Sequence, residues 1–312
     1  MKKQIKALLL FSGGLDSLLA LKVAESLNIS VTLLIFKSYF FDEKIALKAI
    51  KENKLKNPYL IIDFSKKHFQ IVKQPKFGYG KNMNPCIDCH LLMLKEAKQI
   101  KEKEGYDLIL TGEVLNERPM SQNMSVLNLL EKESGLEGYL LRPLSALSLK
   151  PTILEKEGAI NRKQLLNIKG RSRKVQLNLV QKFNLQWFPL PAGGCLLTDP
   201  QFSLKLKDLL NISDKADEND INLLKIGRHF IVQKTKIILG RNQKENEELK
   251  KFRKEKDVLI EMENYPGPTA LIRNYQNSLP SQDAIQKAKE LIIAYAPKAK
   301  GKNDIIFHQL NI

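Results

Sequence analysis

The sequence predicts an α/β protein: a doubly wound parallel sheet, then a helical extension and a small α+β C-terminal domain. Three observations carry this. Short apolar runs of strand length alternate with longer helix-periodic segments as far as Leu141. The first run ends in Ser12-Gly13-Gly14, a turn that can hand a buried strand to a helix. After Arg142 the alternation stops, and a second mixed unit begins near Ile221.

Taken in order, Ile5 to Phe11 reads as a strand buried on both faces, because it is short, almost wholly apolar and ended by glycine. A helical period runs from there to about Leu27. Ser30 to Lys37 is a second strand, Asp42 to Leu55 a helix and Tyr59 to Asp63 a third strand. Residues 90–104 are predicted helical. Asp107 to Thr111 is a fourth strand, and Tyr139 to Leu141 a short fifth. From about residue 143 to Phe183 helical segments are expected to dominate, followed by an irregular Pro- and Gly-rich stretch. Ser213 to Asp220, polar and acidic, reads as a linker. Phe230 to Val232 and Lys236 to Leu239 read as strands, Gly240-Arg241-Asn242 as a turn and Glu245 to Lys256 as a helix. The expected domains are 1–212, including the helical extension, and 221–312.

The 312 residues are 43% hydrophobic and 27% charged, which excludes a wholly disordered chain. No apolar run approaches the roughly 18 residues of a membrane helix, so no membrane partner is expected. The start is too short in its apolar part for a signal peptide, and a cytoplasmic location is expected. The net charge of +17 favours a polyanionic partner. Three cysteines with no export signal argue for a metal or thiol site rather than a disulfide framework.

Between strand and helix, Ser12-Gly13-Gly14-Leu15-Asp16-Ser17 combines a tight glycine turn, amides at a helix N-terminus and two hydroxyls. A plain strand–helix turn is the alternative. Asp16 beside phosphate makes sense only with a divalent cation between them. The string Ser-Gly-Gly-Leu-Asp-Ser resembles the SGGxDS signature of the PP-loop ATP pyrophosphatases, whose fold is of the adenine nucleotide α-hydrolase type. The resemblance covers roughly residues 1–200. It implies that ATP is split between its α and β phosphates to adenylate a carbonyl oxygen. Ser12, Gly13, Gly14, Asp16 and Ser17 would hold the nucleotide, with Asp16 managing Mg²⁺.

Cys86 and Cys89 stand at i, i+3 after Pro85, so a helix beginning there would place both sulfurs on one face. A helix N-terminus also lowers thiol pKa, making either a candidate thiolate. Cys195 lies far along the chain, after Gly193-Gly194. Four readings stand: buried filler, a structural zinc with His90 as fourth ligand, thiol chemistry between Cys89 and Cys195 through a persulfide or transient disulfide, and an iron–sulfur cluster on three thiolates. Asn-Pro-Cys-x-x-Cys with a later Gly-Cys looks like the tRNA 2-thiouridylases. Cys-x-x-Cys plus one distant Cys is similar to the cluster-dependent tRNA thiolases. The latter resemblance implies a 4Fe–4S cluster on Cys86, Cys89 and Cys195, with Cys89 and Cys195 serving the sulfur transfer.

Thr111 and Gly112 follow the fourth strand, where open α/β sheets keep their ligand crevice, and are expected to line ATP. Arg118 could hold a phosphate or RNA. The 2-thiouridylases carry Thr-Gly-His here, whereas Thr111-Gly112-Glu113 looks closer to the 4-thiouridine synthetases. Residues 64–87 hold five lysines, no acid, and Phe64, Phe69, Phe77 and Tyr79, which suits phosphate contact with base stacking at Lys76 and Lys81. Arg142 to Lys182 holds ten basic residues and two acidic ones, densest at Arg171, Arg173 and Lys174. A solvated helical face is the alternative for either run. Lys225 to Phe230, Gly240-Arg241-Asn242 and Gly267-Pro268 look like the small RNA-binding domain of the NFACT type, with Arg228 and Arg241 available to RNA.

The resulting expectation is an ATP-dependent tRNA uridine thiolase using ATP, Mg²⁺ and a 4Fe–4S cluster. Its partners would be tRNA and a sulfur donor, either free sulfide or an external carrier. With the loop starting at Ser12, the C-terminal domain is expected to do much of the tRNA docking. The alternatives are an amide-forming PP-loop ligase and an RNA-binding or cluster-sensing protein with a degenerate ATP site.

Overall fold

The computed structural model describes residues 4–190 and 194–310, in two compact units, 1–198 and 199–312. In the first, the chain runs β1 (Lys6–Leu10), α1 (Leu15–Ser26), β2 (Ser30–Lys37), α2 (Lys44–Glu52), β3 (Tyr59–Asp63), α3 (Ser65–Lys73), α4 (Cys86–Glu104), β4 (Leu108–Thr111), α5 (Met124–Ser134), β5 (Leu140–Leu141), α6 (Ile153–Lys156) and α7 (Lys174–Lys182). The five strands are parallel in the order β3-β2-β1-β4-β5.

Alternation along each strand divides the core. Ala7, Leu9, Leu33, Ile35, Leu108 and Leu110 face one side, with α1. Leu8, Leu34, Phe36 and Ile109 face the other, with α4 and α5. Leu8, Leu9, Leu33 and Leu34 are all fully buried; at roughly 2 kcal/mol for each such side chain, this two-sided burial explains why these strands read as continuous apolar runs. Strand order reverses between β1 and β4, and in such sheets the crevice outside those two strand ends is where ligands bind. Ser12–Gly14 and Thr111–Gly112 are the residues that leave those two ends.

The expected strands of this unit all form. In the extension between Arg142 and Phe183 the regular elements are all helical, the short α6 and α7 and two 3-10 turns, joined by irregular backbone. Residues 65–73, read as a basic RNA stretch, form α3. Phe64 and Phe69 are buried at 3% and 4% exposure, and Phe64 stacks on His68 at 5.0 Å, so those rings belong to the core and cannot stack on a base.

The second unit contains α8 (Pro200–Ile212), α9 (Glu218–Leu224), β6 (Arg228–Val232), β7 (Thr235–Leu239), α10 (Gln243–Phe252), β8 (Val258–Met262), β9 (Ala270–Asn274), α11 (Gln282–Ala294) and β10 (Phe307–Leu310). Its antiparallel sheet has the order β10-β8-β9-β7-β6. Ile237, Ile260 and Ile272 pack with Ala288 and Ile292 of α11; Ile238 and Leu271 pack with Leu223 and Leu249 on the opposite face. The acidic stretch expected to be a linker is structured. Asp217 and Asp220 close a capping box at the start of α9, and Asp220, 3% exposed, takes Arg273 at 2.6 Å. Because α8 packs on α9, residues 199–212 fall in the second unit, where the sequence reading had placed them in the first.

Candidate functional site

Gly13 adopts φ +74°, and a Cβ there would lie 2.6 Å from Ala46 Cα and 2.7 Å from the Ile45 carbonyl oxygen. Only glycine permits both the turn and the approach of α2. Gly14 caps α1 in extended conformation. Its amide donates to Ser12 Oγ at 3.3 Å, and Ser17 Oγ donates to its carbonyl at 2.8 Å. The two hydroxyl oxygens lie 3.5 Å apart. The loop therefore holds both serines at the positive end of α1, the arrangement that binds phosphate. Gly112 closes the crevice from β4: a Cβ on it would meet Asp16 C and Ser17 N at 2.6 Å.

Asp16, in the first turn of α1, has its Oδ1 buried without a hydrogen-bond partner. Burial, helped by Glu117, pushes its carboxyl up to about 6, while Arg173, Gln176 and Arg118 pull the other way. Arg173 and Glu117 are paired at 3.2 Å. A half-desolvated carboxylate with an open oxygen, ringed by two arginines, has the donor set for a divalent cation with its phosphate ligands.

Thr111 and Glu113 diverge from expectation. Thr111 is buried, and its hydroxyl donates to Glu113 Oε2 at 3.0 Å. Glu113 also takes Arg142 Nε at 2.8 Å and His90 Nδ1 at 3.1 Å. Burial disfavours its charge, but Arg142 and His90 outweigh that and hold the carboxyl down at about 2. Arg142, expected to bind RNA, is 1% exposed and spent on Glu113 and Glu131. It is an internal strut, since a buried guanidinium needs carboxylates of its own. His90, a possible zinc ligand on spacing, serves the same network.

Cys86 opens α4 and Cys89 follows one turn on. Asn84 Nδ2 donates to Cys86 Sγ at 3.2 Å. Asn82 reaches the Thr198 carbonyl at 2.8 Å, and Thr198 in turn donates to the Cys195 carbonyl through its amide and its hydroxyl. The structure thus ties the distant cysteine to the pair. Burial raises the Cys89 thiol well above its ordinary value, and Cys195, Cys86 and Asp88 add to this. Burial likewise pushes Cys195 up to about 11, with Cys86 adding. The helix N-terminus does not make Cys89 a thiolate as expected, because desolvation outweighs the dipole. Among the described residues no three His, Cys, Asp or Glu side chains are grouped to hold a single metal ion. Three soft thiols that sense one another electrostatically fit the cluster's chemistry.

This site borders the phosphate loop. Gly194, next to Cys195, has Ile45 Cδ1 3.4 Å from where a Cβ would stand, and the same turn of α2 packs on Gly13. Gly193 and its two predecessors lie outside the described residues.

Of the remaining expected RNA contacts, Lys81, Arg118, Arg171 and Lys174 are exposed. Lys76 pairs with Glu133 at 2.7 Å, Arg228 lies over the Tyr295 ring at 4.6 Å, and Arg241 is held by Glu245. Sequence reasoning missed Glu113 as the hub of a buried network and Gln176 beside Asp16. The latter carried one signal, a glutamine between Val175 and Leu177 in a helical segment.

A glycine-turned loop at the crevice of a parallel sheet, with a carboxylate at the first helical turn and three cysteines beside it, defines a PP-loop protein of the tRNA thiouridine synthase type. Residues 2–162 match the family described as thiamine biosynthesis protein (ThiI), and the chain belongs to that family. Residues 227–309 match the NFACT protein RNA binding domain. No curated protein matches the chain. Solved structures similar to it include a predicted subunit of a tRNA methyltransferase from Methanocaldococcus jannaschii, at 16% identity over 57% of this chain and 76% of that one, TM-score 0.37. A 4-thiouridine synthetase–RNA complex with bound ATP has 19% identity over 58% and 50%, TM-score 0.37. The U34-tRNA thiolase NcsA from Methanococcus maripaludis, with its 4Fe–4S cluster, has 18% identity over 72% and 74%, TM-score 0.36. No helix among the described residues is long and apolar enough to cross a membrane.

Proposed function

We propose that this chain thiolates a uridine of tRNA at the expense of ATP. The observation that carries the reading is the shared wall of the two loops: one turn of α2 touches Gly13 of the phosphate loop and, through Ile45, Gly194 beside Cys195. A nucleotide site and a three-cysteine site so placed can serve one substrate atom in succession.

The pyrophosphate part of ATP would lie on Ser12 to Ser17, held by loop amides and the positive end of α1. Mg²⁺ at Asp16 would neutralise phosphate charge. A uridine unstacked from the tRNA presents a carbonyl oxygen. That oxygen attacks the α-phosphorus, the α–β bridge breaks, and pyrophosphate leaves. The oxygen now belongs to an adenylate and departs as AMP when sulfur, from free sulfide or an external carrier, attacks the pyrimidine carbon. Positioning and charge neutralisation dominate phosphoryl transfer, consistent with a loop of glycines, hydroxyls and one carboxylate. Cys86, Cys89 and Cys195 would hold a 4Fe–4S cluster, which when bound supplies an iron with affinity for sulfide. The NFACT-type domain would dock tRNA, with exposed Arg171 and Lys174 of the catalytic unit adding phosphate contacts.

The test is product analysis. Incubation with tRNA, ATP, Mg²⁺ and sulfide should yield AMP, pyrophosphate and a thiolated nucleoside detectable by mass spectrometry. Asp16→Ala should abolish all three while leaving tRNA affinity unchanged. ADP in place of AMP would refute the proposal.

A further inference from the structure

We propose that Gln176 is a positioning residue that sets the Asp16 carboxylate for the nucleotide, an assignment that rests on the ATP reading of Ser12 to Ser17. Its surroundings run against helix patterning. Gln176 is the one buried residue of α7 and is 0% exposed, whereas its neighbours Val175 and Leu177 stand 50% and 49% exposed. A helix whose task is packing turns its apolar residues inward and its amides outward. Here Leu179, Val180 and Phe183 do pack on the core, and the place one turn before them on that face is taken by a carboxamide.

The buried carboxamide also lacks compensation. No hydrogen bond of ordinary geometry reaches Oε1 or Nε2 of Gln176 or the buried Oδ1 of Asp16, while the amide lies near enough to Asp16 to favour its ionised form. Gln176 lies beside Asp16, on a helix that packs against α1. A buried carboxamide with so little compensation is costly in a resting protein, and its retention beside Asp16 points to the site rather than to packing. Arg173, one turn earlier on the same face of α7, pairs with Glu117 at 3.2 Å, which balances the second carboxylate near Asp16. Gln176 is thus placed to donate through Nε2 to one oxygen of Asp16, leaving the other oxygen for the cation that accompanies the phosphates.

Gln176→Met, close in volume and without polar atoms, separates this role from packing. Thermal unfolding of the full chain and titration calorimetry with Mg·ATP, and with ATP in EDTA, are the measurements. The expected result is a melting temperature equal to or above the wild type, together with a Mg·ATP Kd weaker by about tenfold or more, the worth of one hydrogen bond to a charged group. ATP in EDTA should bind as it does to the wild type. A lowered melting temperature with Mg·ATP affinity within about twofold of wild type makes Gln176 a packing residue and overturns the assignment. So does a loss of equal size with and without Mg²⁺. Asp16→Asn is the control: if it binds Mg·ATP as tightly as the wild type, the nucleotide reading itself fails.

Discussion

Glu113→Gln tests the internal strut directly. Glu113 is 6% exposed and receives Arg142 at 2.8 Å, His90 at 3.1 Å and Thr111 at 3.0 Å. Its carboxyl is held at about 2, against an ordinary 4.5. Each pH unit of displacement corresponds to about 1.4 kcal/mol, so ionised Glu113 contributes about 3 kcal/mol to the folded state, in line with the roughly 3–5 kcal/mol lost when a buried pair is broken from one side. For a unit of this size that is a fall in melting temperature of about 6–12 °C, read by circular dichroism at pH 7. A depressed acid stabilises fully above its unfolded value and loses that contribution as pH falls through the folded one. The gap between wild type and variant should therefore be complete above pH 4.5 and close as pH approaches 2. A melting temperature within about 2 °C of wild type, or a gap unchanged between pH 7 and pH 3, would refute the argument.

Three further outcomes are expected. Asp16→Asn should stabilise the nucleotide-free protein at pH 7 and not at pH 4: an acid raised from 3.8 to about 6 by burial gives stability below 3.8 that is lost as pH rises through 6. Melting curves at the two values check this, and equal shifts would contradict it. Gly112→Ala should abolish ATP binding in calorimetry, because its Cβ would stand 2.6 Å from the backbone of Asp16 and Ser17; wild-type affinity would show the loop can retreat. Cys195→Ala, purified anaerobically, should lose iron, acid-labile sulfide and thiolation together. Full iron content in the variant would remove Cys195 from the ligand set, and stoichiometric zinc in a colourless wild type would remove the cluster.

Much of the first unit was legible because a strand buried on both faces is a continuous apolar run, and Ala7 to Phe11, cut short by Gly13-Gly14, is too brief for a signal peptide. The site's outline came from the resemblance of Ser12 to Ser17 and of the three cysteines to known families, since the residues alone left a plain turn and filler, zinc, thiol and cluster readings open. What escaped depends on partners remote in sequence. Arg142 looks like an RNA contact until Glu113 and Glu131 are found against it. The stretch 213–220 looks solvated until Arg273, 53 residues on from Asp220, closes over it. The strands Val258–Met262 and Ala270–Asn274 acquire meaning only once they pair with each other and the second of them with β7. Gln176 shares a helical face with Leu179, Val180 and Phe183, which pack on the core, but its polarity hides the inward place that this spacing gives it.

The first turn of α2 is a partition with a tenant on each side. A Cβ on Gly13 would stand 2.6 Å from Ala46 Cα, and Ile45 Cδ1 lies 3.4 Å from where one on Gly194 would stand, so the turn has little room on either side. On the proposed reading, a change made to one chamber is transmitted across that turn to the other, so the two are remodelled together.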